Sequence, residues 1–83
     1  MEERDVTQIL SAATDSVSLI NGVNDGSWDT GLMEQSEIND MVQRNVEHLE
    51  VILAYEEVVA DASDKTSYTS AVTTGKAYIT ANS

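Results

Sequence analysis

The chain has no cysteine, no proline and no phenylalanine, and only four basic residues among 83. Without cysteine, no disulfide or thiolate metal site can reinforce a small fold. Without phenylalanine, and with one tryptophan and three tyrosines, the core must be built mostly from aliphatic side chains and stays thin. Without proline, no pyrrolidine ring breaks a helix from inside. With 15 acidic residues and a formal net charge of −11, the chain lacks the cationic footprint that DNA, RNA or an anionic membrane surface requires. No stretch approaches the roughly 18 apolar residues that span a bilayer. The start, Met1-Glu2-Glu3-Arg4-Asp5, is acidic and leads into no apolar run, so no signal peptide is expected.

What is present fits one domain over residues 1–83. A chain of this size buries only roughly 60% of its unfolded surface. Self-association or docking to a partner is therefore expected to add stability. The charge is compatible with a basic protein partner, with a non-stick surface facing nucleic acid, or with solubility alone.

The richest segment is central. Between Glu34 and Asp61 lie eight acidic residues and one basic residue, Arg44. The same segment carries an apolar stripe, Ile38, Met41/Val42, Val46, Leu49 and Ile52/Leu53, that broadens through Tyr55, Val58 and Val59. Spacing of this kind predicts a long helix over 35–60 with one buried face and one solvated face. Ser36 is placed as its N-cap, with Glu37 in the first turn. A face wider than one partner helix covers implies a third helix or a second subunit.

A first helix is predicted over 3–21. Val6, Leu10, Ala13, Val17 and Ile20 alternate steps of four and three, with Ile9 and Leu19 beside them. Glu2, Glu3 and Asp5 suit the positive end of its dipole, and Asn21-Gly22 reads as its stop. Residues 22–34, with Gly22, Gly26 and Gly31 among Asn, Asp, Ser and Thr, have loop chemistry. Trp28 sits in that loop, either folded back as a lid on the core or presented as an anchor for a partner.

A third, shorter helix is predicted over 65–80, capped by Ser63 or Asp64. Tyr68, Val72, Gly75 and Ile79 lie at helical spacing, flanked by Ala71 and Tyr78. The segment is rich in Ser and Thr, which form helices poorly, so packing must hold it. Gly75 costs up to about 1 kcal/mol relative to Ala inside a helix, which suggests either close approach of a neighbour or a break in the helix. A strand over 66–80 is the alternative. The fold class is therefore all-α: a small antiparallel bundle of two long helices and a shorter third.

No chemical motif stands out. Glu47/Glu50 and Asp61/Asp64 are spaced to share a metal or divide acid and base roles, but Glu47 and Glu50 alternate with the apolar stripe and read as a solvated face. Counting from Asp25, the twelfth position of an EF-hand would be Ser36, so the calcium-loop pattern fails. His48, the single histidine, cannot build a zinc site without cysteine and reads as half-exposed beside the core. The glycines at 22, 26 and 31 lack the lysine of a phosphate loop. No cofactor, no metal and no catalytic residue is expected.

The segment His48–Ala54, followed by Asp64–Asn82, resembles the small acidic helical proteins encoded among tailed-bacteriophage genes, often near virion structural genes. The stretch Gly75-Lys76-Ala77-Tyr78-Ile79 carries most of the likeness, and residues 1–47 add nothing to it. The resemblance implies a virion component or assembly factor present in many copies, and it carries over no functional residue.

The expected function is that of a non-enzymatic structural or assembly protein, placed in the virion or the host cytoplasm. It would act through helix packing and homo-oligomerisation or contact with other virion proteins. Trp28, Tyr55, Tyr68 and Tyr78 are the interface candidates, since aromatics dominate interface energetics. The alternative is an acidic inhibitor or adaptor that binds a basic, nucleic-acid-binding protein.

Overall fold

The computed structural model describes residues 6–55 and 62–83. They form three helices, α1 (Val6–Asp25), α2 (Gln35–Leu53) and α3 (Ala62–Ala81); the third, expected to be shorter, has 20 residues, as many as α1, because it starts before Ser63 and Asp64. Each helix packs against the other two. No strand occurs among the described residues, and 66–80 lies wholly within α3, which removes the strand alternative.

The helix expected over 3–21 runs further than its apparent stop. α1 passes through Asn21-Gly22 and ends at Asp25. The left-handed residue that closes it is Gly26, with φ of 85°. One extra turn buries Val23 in the core. The deep face of α1 is also rotated from the expected one: Ala13, Ser16, Ile20 and Val23 are buried, while Leu10 and Val17 are half-buried. Residues 3–5, the acids Glu2, Glu3 and Asp5, and the Val6 side chain lie outside the described residues.

In α2 the expected stripe holds through Ile52: Ile38, Val42, Val46, Leu49 and Ile52 are buried and Met41 and Leu53 half-buried, but Tyr55, through which the stripe is expected to broaden, lies past the helix end and is exposed. The helix start also differs. Ser36 lies inside the helix and Glu34 is the capping residue, because the Glu37 carboxylate accepts the Glu34 backbone N–H at 2.9 Å. That reciprocal spacing is the capping-box arrangement. The helix ends at Leu53. The rest of the expected 35–60 span, residues 56–60 with Val58 and Val59, lies outside the described residues.

α3 begins at Ala62, so Ser63 and Asp64 are helical rather than capping residues; their side chains, and Asp61, are outside the described residues. The helix tolerates its threonines by bonding them backwards. Thr69, Thr73 and Thr80, all exposed, donate their hydroxyls to the carbonyls of Lys65, Thr69 and Lys76. Tyr68, Ala71, Val72 and Gly75 form its buried face, with Tyr78 and Ile79 half-buried.

The three helices meet at Gly75. A Cβ placed there would overlap Val46 Cγ2 and lie 3.3 Å from both Ile20 Cγ2 and Val42 Cγ1. Side chains from α1 and α2 therefore occupy the space that any other residue of α3 would need. The conformational cost of glycine within a helix is offset here by a three-way aliphatic contact.

Candidate interaction surface

Loop 26–34 is braced by its own carboxylates. Asp25 Oδ1 accepts the Ser27 N–H at 2.8 Å, and Asp29 Oδ1 accepts the Gly31 N–H at 2.9 Å. Both are Asx turns, in which an acidic side chain closes the backbone locally. Ser27, through its side chain and then its backbone, holds the Asp25 carboxyl below its ordinary value. Between Thr30 and Met33 an N–H···O bond of 3.1 Å closes a tighter turn. Gly31 supplies the positive φ of 57° at its first central position, the pattern of a type II′ turn. Met33 packs back on the core.

This bracing holds two large apolar side chains in water. Leu32 is 103% exposed and Trp28 is 41% exposed. Trp28 is not a lid over the core. Its N–H donates to the Gly22 carbonyl at 3.0 Å, and its Cβ and ring edge rest on Gly22, where an added Cβ would come within 3.2 Å of Trp28 Cβ. Gly22 thus gives the indole a flat seat on the last turns of α1, and much of the ring remains open to solvent.

The other three aromatic candidates separate. Tyr55, just past α2, is 45% exposed, and Val51 one turn earlier is 54% exposed. Tyr68 is 3% exposed and belongs to the core, so it is not presented at the surface of this chain. Tyr78 is half-buried, and its hydroxyl accepts from Gln35 Nε2 at 3.0 Å, tying α3 to the start of α2. Asn39 Nδ2 makes a second tie at the same place, donating to the Asn82 carbonyl at 3.1 Å.

These ties put the last turn of α3 beside the first turn of α2, next to the loop that ends α1. The C-termini of α1 and α3, which carry negative partial charge, therefore flank this end of the molecule. Neither has a basic residue in its last turn. Asp25, Asp29, Glu34 and Glu37 are exposed there, and residues 6–43 contain no Lys, Arg or His.

A polar group that sequence reasoning missed lies between α1 and α2. Ser16, 3% exposed, is 2.9 Å from both Asn45 Oδ1 and His48 Nδ1. Asn45 Nδ2 donates to the Met41 carbonyl at 2.8 Å, so its Oδ1 faces Ser16 as an acceptor. The Ser16 hydroxyl donates to Asn45 Oδ1, and with that proton placed, the Nδ1–H tautomer of His48 is the one that completes the trio by donating to Ser16 Oγ. The group works as a satisfied polar contact, and no buried side-chain N or O among the described residues lacks a partner.

The remaining carboxylates do not converge. Glu47 accepts from Gln43 at 3.2 Å, and Glu50 pairs with Lys76 at 2.9 Å, both on the surface. Among the described residues no three His, Asp or Glu side chains are grouped as metal ligands. The recess beside Lys65, Thr66, Thr69 and Ser70, about 300 Å³, opens to solvent and has no carboxylate or imidazole among the described residues that line it. No helix among the described residues is long and apolar enough to cross a membrane. No protein family, no curated protein and no solved structure matches this chain.

Proposed function

We propose that the chain is a non-enzymatic structural or assembly protein that works by protein–protein contact. The observation that carries this reading is apolar surface left over beside a filled core: Leu32, Val51, Tyr55 and Trp28 stay exposed while the stripes of all three helices are already packed together. Exposed aromatic and aliphatic side chains of this size are the groups that anchor protein interfaces. The ties Gln35–Tyr78 and Asn39–Asn82 at one end, and the Val46–Gly75 contact further along, favour an up-and-down antiparallel arrangement of the helices. Such a unit presents its loop end to a neighbour.

The resemblance of residues 48–82 to small acidic phage proteins supplies the concrete form: a tailed-bacteriophage virion component, or an assembly factor in the host cytoplasm, present as a homo-oligomer or in contact with other virion proteins. Light-scattering mass after size-exclusion chromatography, at low and high salt, tests self-association. A stable oligomer at both supports apolar assembly. A monomer at both removes the homo-oligomer and leaves contact with other proteins.

The second reading, an acidic adaptor or inhibitor of a basic protein, is favoured by the absence of any cation over residues 6–43. It predicts that binding falls steeply as salt screens the charges.

A further inference from the structure

We propose that the end of the molecule formed by loop 26–34 docks, through Leu32 and Trp28, an apolar protein face flanked by Lys or Arg side chains. The inference rests on the reading of the chain as a protein-contact module and names the contact surface and the chemistry of its partner.

Three observations converge on it. First, the loop is ordered by its own bonds. Two Asx turns, the Thr30–Met33 turn and the Trp28–Gly22 bond hold its backbone, so little ordering entropy remains to be lost on binding. Second, this braced loop exposes a fully solvated leucine and the chain's one tryptophan. A leucine whose position is fixed by flanking turns, yet which touches no core, stabilises nothing in the monomer. Third, the charged side chains here have one sign. Asp25, Asp29, Glu34 and Glu37 lie at this end, the negative C-terminal ends of α1 and α3, neither with a basic residue in its last turn, outnumber the one positive end of α2, and residues 6–43 hold no basic residue.

The third observation selects the occupant. A second copy presenting the same end would bring like charges together around the apolar contact, which disfavours that pairing. Nucleic acid and anionic membrane are excluded by the same charge. A protein surface with cations flanking an apolar face satisfies both the leucine and the field.

The test uses the full chain and two amphipathic helical peptides, one of leucine and lysine, one of leucine and glutamate. Trp28, as the only tryptophan, reports binding through its emission. The Leu/Lys peptide should give a saturable blue shift that weakens between about 0.02 and about 0.5 M salt, and the Leu/Glu peptide should give none. Leu32→Ser should weaken binding about tenfold, the scale of burying one leucine. Gln43→Ala, on the exposed face of α2 and outside the apolar surface, should leave it unchanged. No saturable shift with Leu/Lys, equal shifts with both peptides, or equal weakening by both substitutions would each overturn the inference.

Light scattering on the same proteins separates this inference from the assembly reading. An oligomer that persists in Leu32→Ser while peptide binding is lost supports both. An oligomer that dissolves in Leu32→Ser places a second copy on the loop and overturns the inference while the assembly reading stands. A monomer that binds the Leu/Lys peptide through Leu32 supports the inference and removes homo-oligomerisation.

Discussion

Gly75 and Val46 approach so closely that no Cβ fits between them. All three side chains around Gly75 (Val46, Val42 and Ile20) are β-branched and sit in helices, where their χ1 angles have one strongly preferred value. They have little room to yield. Gly75→Ala gains up to about 1 kcal/mol in helix propensity but introduces overpacking of about 1–3 kcal/mol. The clash with a stiff neighbour wins, and a net loss of about 1–2 kcal/mol is expected by thermal or urea unfolding. Adding Val46→Ala should recover part of that loss. Strict additivity of the two substitutions would show that the contact is not the cause.

Ser16→Ala should destabilise the chain by about 1–3 kcal/mol, because it strips a partner from both Asn45 Oδ1 and His48 Nδ1 at a buried position. Serine and alanine are similar in size, so the loss reports hydrogen bonding more than packing. Urea unfolding followed by circular dichroism measures it. Unchanged stability would mean that the trio is bonded to water instead.

Tyr68 and Tyr55 should separate by a wide margin. Tyr68→Ala removes a core side chain and is expected to cost about 3–5 kcal/mol, in the range of large aromatic truncations. That is enough to unfold a domain of this size. Tyr55→Ala removes a side chain that is 45% exposed, and a change of about 0.5 kcal/mol or less is expected. A large loss from Tyr55→Ala would assign that residue to the fold instead of to an interface.

The loop should loosen in acid. Hydrogen bonds from Ser27 hold the Asp25 carboxyl below its ordinary value, so the folded loop favours the ionised form. Its contribution is fully present above the unfolded value of about 4 and is lost as pH falls through the lower folded value. A carboxyl-carbon titration by NMR should place Asp25 below the ordinary aspartate value of about 4. The Ser27 amide should move with it. An Asp25 midpoint at or above that value would remove the Asx turn as the loop's brace.

Much of the fold was legible because the long apolar stripe of α2 has an unbroken helical period from Ile38 to Ile52, and its deepest positions are the buried ones, although its expected continuation at Tyr55 is exposed. The limits were harder. Asn21-Gly22 and Asp25-Gly26 are equivalent stop signals in sequence. What chooses between them is tertiary: the extra turn buries Val23 and seats Trp28 on Gly22. Likewise Ser36 is the better cap by residue type, but the Glu34–Glu37 pair sets the helix start two residues earlier. Rotation of α1 was hidden because its deep face includes a serine. Ser16 breaks the apolar pattern, and its partners lie on another helix, where periodicity has no reach. Of the interface candidates, aromatic character alone could not separate buried Tyr68 from exposed Tyr55, and Leu32 was passed over because a single leucine in a polar loop carries no pattern.

The polar trio between α1 and α2 has a consequence for which packing the chain can choose. Two aliphatic stripes alone could slide past one another by a turn and still bury comparable area. With Ser16, Asn45 and His48 at one height of the seam, a slipped pairing sets hydroxyl, amide and imidazole against aliphatic neighbours, each without its partner. A core this thin cannot select its alignment by size complementarity alone. The one buried serine of α1 acts as a keying element that admits a single alignment of the first two helices.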